Sequence, residues 1–168
     1  MWQPADKISA QLPQAIGRWL CERGSLTEQL SNWCGHDIRV SVLRQDWIKV
    51  MDEEAALLGI PLEQGALVRE VLLSSNTAPL VFARTVIPDS ALKDSFEFIA
   101  ELGDQPLGHW LFANPDVQRG EIEIQMAQPE EHQFETRHWG RRSLFSYGKR
   151  QILVAEYFLP SFLELLDA

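Results

Sequence analysis

Between residues 150 and 159 the side chains alternate about an extended backbone. Ile152, Val154, Glu156 and Phe158 fall on one side, and Leu153, Ala155, Tyr157 and Leu159 on the other. Both sides are apolar apart from one carboxylate, so the segment reads as an interior strand. Glu156 is then placed where an ionised side chain is costly unless something pairs with it. Gly148-Lys149 suits a two-residue hairpin loop with positive φ at its first position, joining this strand to one that ends at Tyr147. A second strand signal covers Leu67 to Leu73. Leu67, Arg69, Val71 and Leu73 share one side, and Val68, Glu70 and Leu72 the other. One charge sits on each side, so alternation does not decide which is buried. Leu80 to Ile87 returns after a turn at 74–79, with Arg84 among Leu80, Phe82 and Val86, and Pro88 ends this antiparallel hairpin. Ile38, Val40 and Val42 mark a strand over 38–44 after a turn at Gly35-His36-Asp37. Ile122, Ile124 and Met126 alternate with Glu121, Glu123 and Gln125, the pattern of a strand with one wet face.

Helical spacing appears elsewhere. Pro13 opens a helix carrying Ala15, Ile16, Trp19 and Leu20, with Gly24 as its stop. Ser25, with Glu28 three residues on, forms a capping box for a helix carrying Leu26, Leu30 and Trp33. Asp52 to Leu58 reads as a short helix, whereas Trp47, Val50 and Met51 fit either a strand end or a crossing segment. Asp89 or Ser90 caps a helical stretch that continues over 96–102, and Pro106 suits the first turn of another, with Leu107, Trp110 and Leu111 at helical spacing. First-turn amides near Leu26 and Leu107 have no intrahelical partners and suit an anion. Residues 1–11 read as a loose or surface-tracking arm, 127–136 as a polar loop and 161–168 as a short tail, open to a helical turn. The sum is an α+β fold, a single antiparallel sheet covered by helices, in one domain over residues 1–168.

Composition narrows the function classes. The chain has 168 residues with 45% hydrophobic and 23% charged positions, as in a soluble globular protein. A formal charge of −9 and a pI near 4.9 argue against a general nucleic-acid binder, which needs a basic surface. Residues 137–150 run against that balance: Arg137, Arg141, Arg142, Lys149 and Arg150 occur there with no Asp or Glu. They fit either a solvated hairpin face or a site for a small anion. No apolar run is long enough to span a membrane, and residues 1–11 lack the apolar core of a signal peptide. Cys21 and Cys34 are expected as free thiols. Together with His36, His109, His132 and His138 they show no standard metal-ligand spacing, so no metal is expected. There is no glycine-rich phosphate loop and no serine nucleophile elbow. A cytoplasmic monomer is expected, without nucleic-acid partner or stable membrane insertion.

Five segments, in order, resemble the chorismate pyruvate-lyase family: Val68-Arg69-Glu70-Val71-Leu72-Leu73, Ala83-Arg84-Thr85-Val86-Ile87-Pro88, Pro106-Leu107-Gly108 with Leu111-Phe112, Trp139-Gly140-Arg141-Arg142-Ser143, and Glu156-Tyr157-Phe158-Leu159-Pro160. The resemblance spans roughly residues 12–162. It implies conversion of chorismate to 4-hydroxybenzoate and pyruvate, the first committed step of bacterial ubiquinone synthesis. It also implies a single-domain antiparallel sheet with helices over an enclosed ligand cavity, and no metal or organic cofactor. By this resemblance Arg69 matches the arginine that binds the ring carboxylate, and Glu156 the glutamate that contacts the ring hydroxyl at the opposite end. Leu107 matches a ligand-contacting leucine. Leu26 falls where the family has another contact, commonly Met. The chain departs from the family in a longer loop between Met126 and Trp139.

The residue types fit the chemistry without the family name. A dicarboxylate with a hydroxyl needs a bidentate donor at one end, which arginine supplies better than lysine, and an acceptor or donor at the other. The plain alternative makes Arg69 and Glu156 a buried ion pair between neighbouring strands, an arrangement that stabilises poorly because desolvation offsets attraction. Arg84 fits a structural role as well as it fits the pyruvyl carboxylate. Arg141 and Arg142 read as packing or pairing at the hairpin, and Trp139 as core. The competing function is a non-catalytic sensor for a small aromatic acid on the same fold, since effector-binding domains of some bacterial repressors resemble this lyase fold.

Overall fold

A computed structural model describes residues 1–128, 132 and 135–168. Its centre is one antiparallel sheet of eight strands: β1 (Gln3–Pro4), β2 (Arg39–Ile48), β3 (Ala66–Ser74), β4 (Pro79–Ile87), β5 (Val117–Arg119), β6 (Glu123–Ala127), β7 (His138–Tyr147) and β8 (Arg150–Phe158). The strand order is β1-β6-β7-β8-β4-β3-β2, and β5 pairs with β7 at 145–147, beyond the segment of β7 that pairs with β6. The helices are α1 (Ala5–Ile8), α2 (Gln14–Cys21), α3 (Leu26–Cys34), α4 (Asp52–Leu58), α5 (Asp89–Leu92), α6 (Leu107–Ala113) and α7 (Pro160–Asp167).

β8 lies between β7 and β4, as its two apolar sides require. The β7–β8 hairpin turns at Gly148-Lys149, with Tyr147 opposite Arg150 and Gly148 at φ 59°. Positive φ at that position costs glycine nothing. One side of the sheet carries Arg69, Val71, Thr85, Val154 and Glu156 and is covered by α3 and α6, with α2 and α7 packed on the adjoining core around Trp19, Leu20, Phe158 and Phe162. The other side carries Val68, Val86 and Leu153, packed on Ala55 of α4 and on Val50. Burial of both sides explains why β3 and β4 show little clean alternation.

The strand expected over 38–44 extends to Ile48, and its register shifts between Val42 and Arg44. The extra residue, Leu43, reverses the phase of the strand. Gln45 rather than Arg44 therefore stands with Val40 and Val42, opposite Arg69. Val42, Leu43 and Trp47 are exposed on this edge strand.

Two expectations differ from the structure. Residues 1–11 do not form a loose arm: β1 pairs with β6, Ile8 is buried, and Trp2 packs on Tyr157 and over the Arg142 guanidinium. The side of β6 expected to be wet is closed for the same reason. Gln125 there is buried, and Glu123 accepts a hydrogen bond from Arg142 Nε at 2.7 Å. The expected loop over 127–136, and its added length, falls mostly outside the described residues.

Candidate functional site

Between the sheet and helices α3 and α6 lies a cavity with about 590 Å³ of empty space, counting its mouth. Its walls are mostly apolar, with Val71, Leu73, Val154, Phe145, Leu111 and Phe112 among them, and three charged side chains enter it: Arg69, Arg119 and Glu156. Leu26 and Leu107, the first residues of α3 and α6, also line it. All four residues expected at the site thus border one space.

The local reasons are legible. Ser25 caps α3, its Oγ accepting from the Glu28 amide at 3.3 Å, which is one half of the expected capping box. Pro106 precedes α6 in extended geometry. The two helix starts approach closely because residue 108 is glycine: a Cβ there would lie 3.3 Å from Ser25 Oγ.

Arg69 projects from β3 and is 3% exposed. Its Nη1 donates to Gln45 Oε1 at 2.9 Å, and its Nη2 to the carbonyl oxygens of Gly103 at 2.7 Å and Gln105 at 3.4 Å. These acceptors are neutral, so the positive charge is not cancelled by a direct partner. Burial holds the guanidinium below its ordinary pKa, with Asp104 offsetting part of the effect. The contacts also tie β3 to the loop that leads into α6.

Glu156 projects from β8 on the same side of the sheet. Its Oε2 accepts from Arg141 Nε at 2.6 Å and lies 4.0 Å from Arg119 Nη2. Arg141 is fully buried, and its Nη1 donates at 2.7 Å to the carbonyl oxygens of both Trp19 and Glu22 at the end of α2, where a cation suits the helix dipole. Arg69 and Glu156 are separated by β4 and offset by two residues along the strands. Strand spacing and rise put their Cα atoms roughly 12 Å apart. They are not the buried ion pair of the plain alternative.

Arg84 and Arg142 point to the other side of the sheet. Arg84 is bidentate to Glu54, Nε at 2.7 Å and Nη2 at 2.9 Å, and its Nη1 meets Glu70 at 2.6 Å. Glu54 Oε2 also accepts from the Met51 amide at 2.9 Å. Arg84 is therefore part of a buried ionic cluster beneath α4, away from the cavity. The basic run over 137–150 divides in the same way: Arg141 and Arg142 are buried on opposite sides, and Arg150 meets Asp94 at 3.0 Å. Trp139 packs against the core.

Sequence reasoning overlooks two residues. Gln45 holds Arg69 only because of the bulge at Leu43. Arg119 lies on a strand of three residues, too short to alternate. The one signal available was an arginine set between Val117 and Gly120 ahead of the β6 strand pattern. Burial, and then Arg141, push the Arg119 guanidinium down to about 10, against the pull of Glu156.

A protein from Methylococcus capsulatus, named "Probable chorismate pyruvate-lyase", is 41% identical over 158 residues, covering 89% of this chain and 98% of that protein. A protein of the same name from Pseudomonas aeruginosa is 39% identical over 165 residues, covering 96% and 92%. Among solved structures, the effector domain of PhnF from Mycobacterium smegmatis superposes with a TM-score of 0.54 at 12% identity, covering 82% of this chain and 90% of that one. The C-terminal domain of the histidine utilization repressor from Pseudomonas syringae gives 0.52 at 13%, covering 74% and 92%. At such identities these two show the fold alone. The family model described as chorismate lyase matches residues 1–164, and with these relatives it shows that the chain belongs to the chorismate lyase family.

Proposed function

We propose that this protein converts chorismate to 4-hydroxybenzoate and pyruvate, as a cytoplasmic monomer at the first committed step of ubiquinone synthesis. Family membership supports the lyase class and chorismate as substrate. The observation that carries the reading is the placement of Arg69 and Glu156 on one cavity, two strands apart, with neither charge spent on the other.

In this reading Arg69 receives the ring carboxylate, and the free first-turn amides at Leu26 and Leu107 add donors beside it. Glu156 holds the ring hydroxyl at the far end. The bond between the ring and the enolpyruvyl oxygen breaks, and the carbon that bears the hydroxyl loses its hydrogen as a proton. The ring becomes aromatic, and the released enolpyruvate takes up a proton and becomes pyruvate. Aromatisation supplies the driving force, so the protein's task is mainly to position the substrate. Glu156 stands where it can assist the proton transfer, and the apolar walls exclude water that would divert the reaction.

The test is to mix the purified protein with chorismate in the presence of a chelator and follow both products. Equal amounts of 4-hydroxybenzoate and pyruvate, above the slow spontaneous background, support the lyase and a reaction without metal. No product, alongside tight binding of 4-hydroxybenzoate, would point instead to a sensor. The likeness to repressor effector domains does not favour that second reading, because it is one of fold alone.

A further inference from the structure

Arg119 is the cation of the cavity that the reading above leaves without a task. Its side chain is 7% exposed. Nε donates to Ser143 Oγ at 3.0 Å, and Nη1 to the carbonyl oxygens of Arg23 at 3.0 Å and Gly24 at 3.5 Å. These bonds fix the plane of the guanidinium. Nη2 makes no hydrogen bond among the described residues. Its nearest carboxylate oxygen, Glu156 Oε2, is 4.0 Å away and already receives Arg141 Nε at 2.6 Å. The two N–H groups of Nη2 are therefore unspent by the protein, and Nη2 is not sealed from the cavity space, so they are open to an acceptor that enters. At this end two arginines face one carboxylate, so the local charge is positive. Glu156 Oε1 likewise has no hydrogen-bond partner among the described residues. A spare acceptor and a spare cationic donor thus stand side by side.

We propose that Arg119 Nη2 receives the second carboxylate of the substrate, the one on the enolpyruvyl side chain. The inference rests on the chorismate reading of the same cavity. Chorismate carries its hydroxyl and its enolpyruvyl ether on adjacent ring carbons. A hydroxyl on Glu156 Oε1 brings the side-chain carboxylate to the neighbouring cation, while the ring carboxylate lies at Arg69. The other arginines near the hairpin do not compete. Arg84 and Arg142 are held by carboxylates on the far side of the sheet, and Arg141 lies behind Glu156, outside the cavity lining. The product 4-hydroxybenzoate has no second carboxylate, so Arg119 distinguishes substrate from product, whereas Arg69 and Glu156 contact both.

The experiment compares wild type with Arg119→Gln, measuring KM for chorismate and the inhibition constant of 4-hydroxybenzoate. The expected result is a KM raised about tenfold or more, as for loss of a charge-assisted contact, with the inhibition constant changed less than about twofold. An unchanged KM, or both constants rising together, overturns the proposal. A second measurement uses wild type alone and does not depend on the variant folding. It compares 3-(carboxymethoxy)-4-hydroxybenzoate with its side-chain amide as inhibitors. The acid is expected to bind about tenfold more tightly or better, and equal binding overturns the proposal. Wild type that neither cleaves chorismate nor binds 4-hydroxybenzoate would instead sink the underlying reading. Active wild type with equal acid and amide would sink only the role of Arg119.

Discussion

Arg69 and Glu156 face one cavity from strands that do not touch, and each is held by groups other than its opposite charge. Gln45 and two loop carbonyls hold Arg69, while Arg141 holds Glu156. A buried pair would have satisfied both charges and left nothing for a ligand. Here an anion reaching Arg69 meets no carboxylate already in place, and a hydroxyl reaching Glu156 finds one oxygen free.

Replacing Arg69 by Met is expected to weaken binding of 4-hydroxybenzoate by roughly 10- to 100-fold, the worth of hydrogen bonds to a charged group. Turnover at saturating chorismate should fall less. Calorimetric titration checks it, and unchanged affinity would remove Arg69 from the site. Gln45→Ala, which removes only a support, should weaken binding less.

Glu156→Gln is expected to lower kcat by about 100-fold, the usual scale for loss of a positioned acid–base group. It also removes the carboxylate that Arg141 binds and the larger of the two that favour the charged form of Arg119. Removing one partner of a buried pair costs about 3–5 kcal/mol, and glutamine, which keeps an acceptor, should sit at the low end. Urea unfolding measures the second effect and single-turnover kinetics the first. A variant that loses stability but keeps its turnover would make Glu156 purely structural.

Arg84→Met should show the opposite profile. Glu54 and Glu70 would be stranded beneath α4, costing about 3–5 kcal/mol, while KM and product affinity stay at wild-type values at temperatures where the variant remains folded. A raised KM in the folded variant would contradict the placement of Arg84 on the far side of the sheet.

Arg119 makes a pH prediction. Its folded pKa of about 10 lies below the ordinary arginine value, so between the two the unfolded chain binds more protons than the native one. Stability from this group therefore rises with pH across that window, and below about 10 the charged Arg119 carries its full cost. The charged groups acting on it are Arg141, Glu156, Arg23 and Glu22. The unfolding free energy of wild type minus that of Arg119→Met should be flat at neutral pH and turn upward as pH passes about 10. Denaturant titrations across that range check it, and a difference that falls there would contradict the burial of an uncompensated charge.

Much of this protein is legible in its sequence because the signals are local. Period-2 alternation along Ile152 to Leu159 identifies β8 as interior and marks Glu156 as misplaced, and the glycine of Gly148-Lys149 sets the hairpin. Ser25 and Pro106 mark helix starts, and so bring Leu26 and Leu107 into view. The antiparallel sheet under helices follows from hairpins joined by short turns. The four site residues were found through the motif resemblance, and the structure brings them to one cavity.

Tertiary structure decided what a local pattern cannot carry. β3 presents one charge on each side, and only the packing of α4 against one side and of α3 and α6 against the other assigns Glu70 to a buried cluster and Arg69 to the cavity. The same packing takes Arg84 out of the site. The bulge at Leu43 inverts the phase of β2, so that Gln45 supports Arg69. Trp2 folds back to close a side of β6 that alternation marks as wet. Arg119 sits on three residues of strand, too few to show a period, and owes its place beside Glu156 to the pairing of β5 with β7. The sequence specifies the longer strands and helices, because those preferences act between near neighbours. Which side of each strand meets a ligand depends on contacts between residues far apart in the chain, and only the folded sheet and its helices supply them.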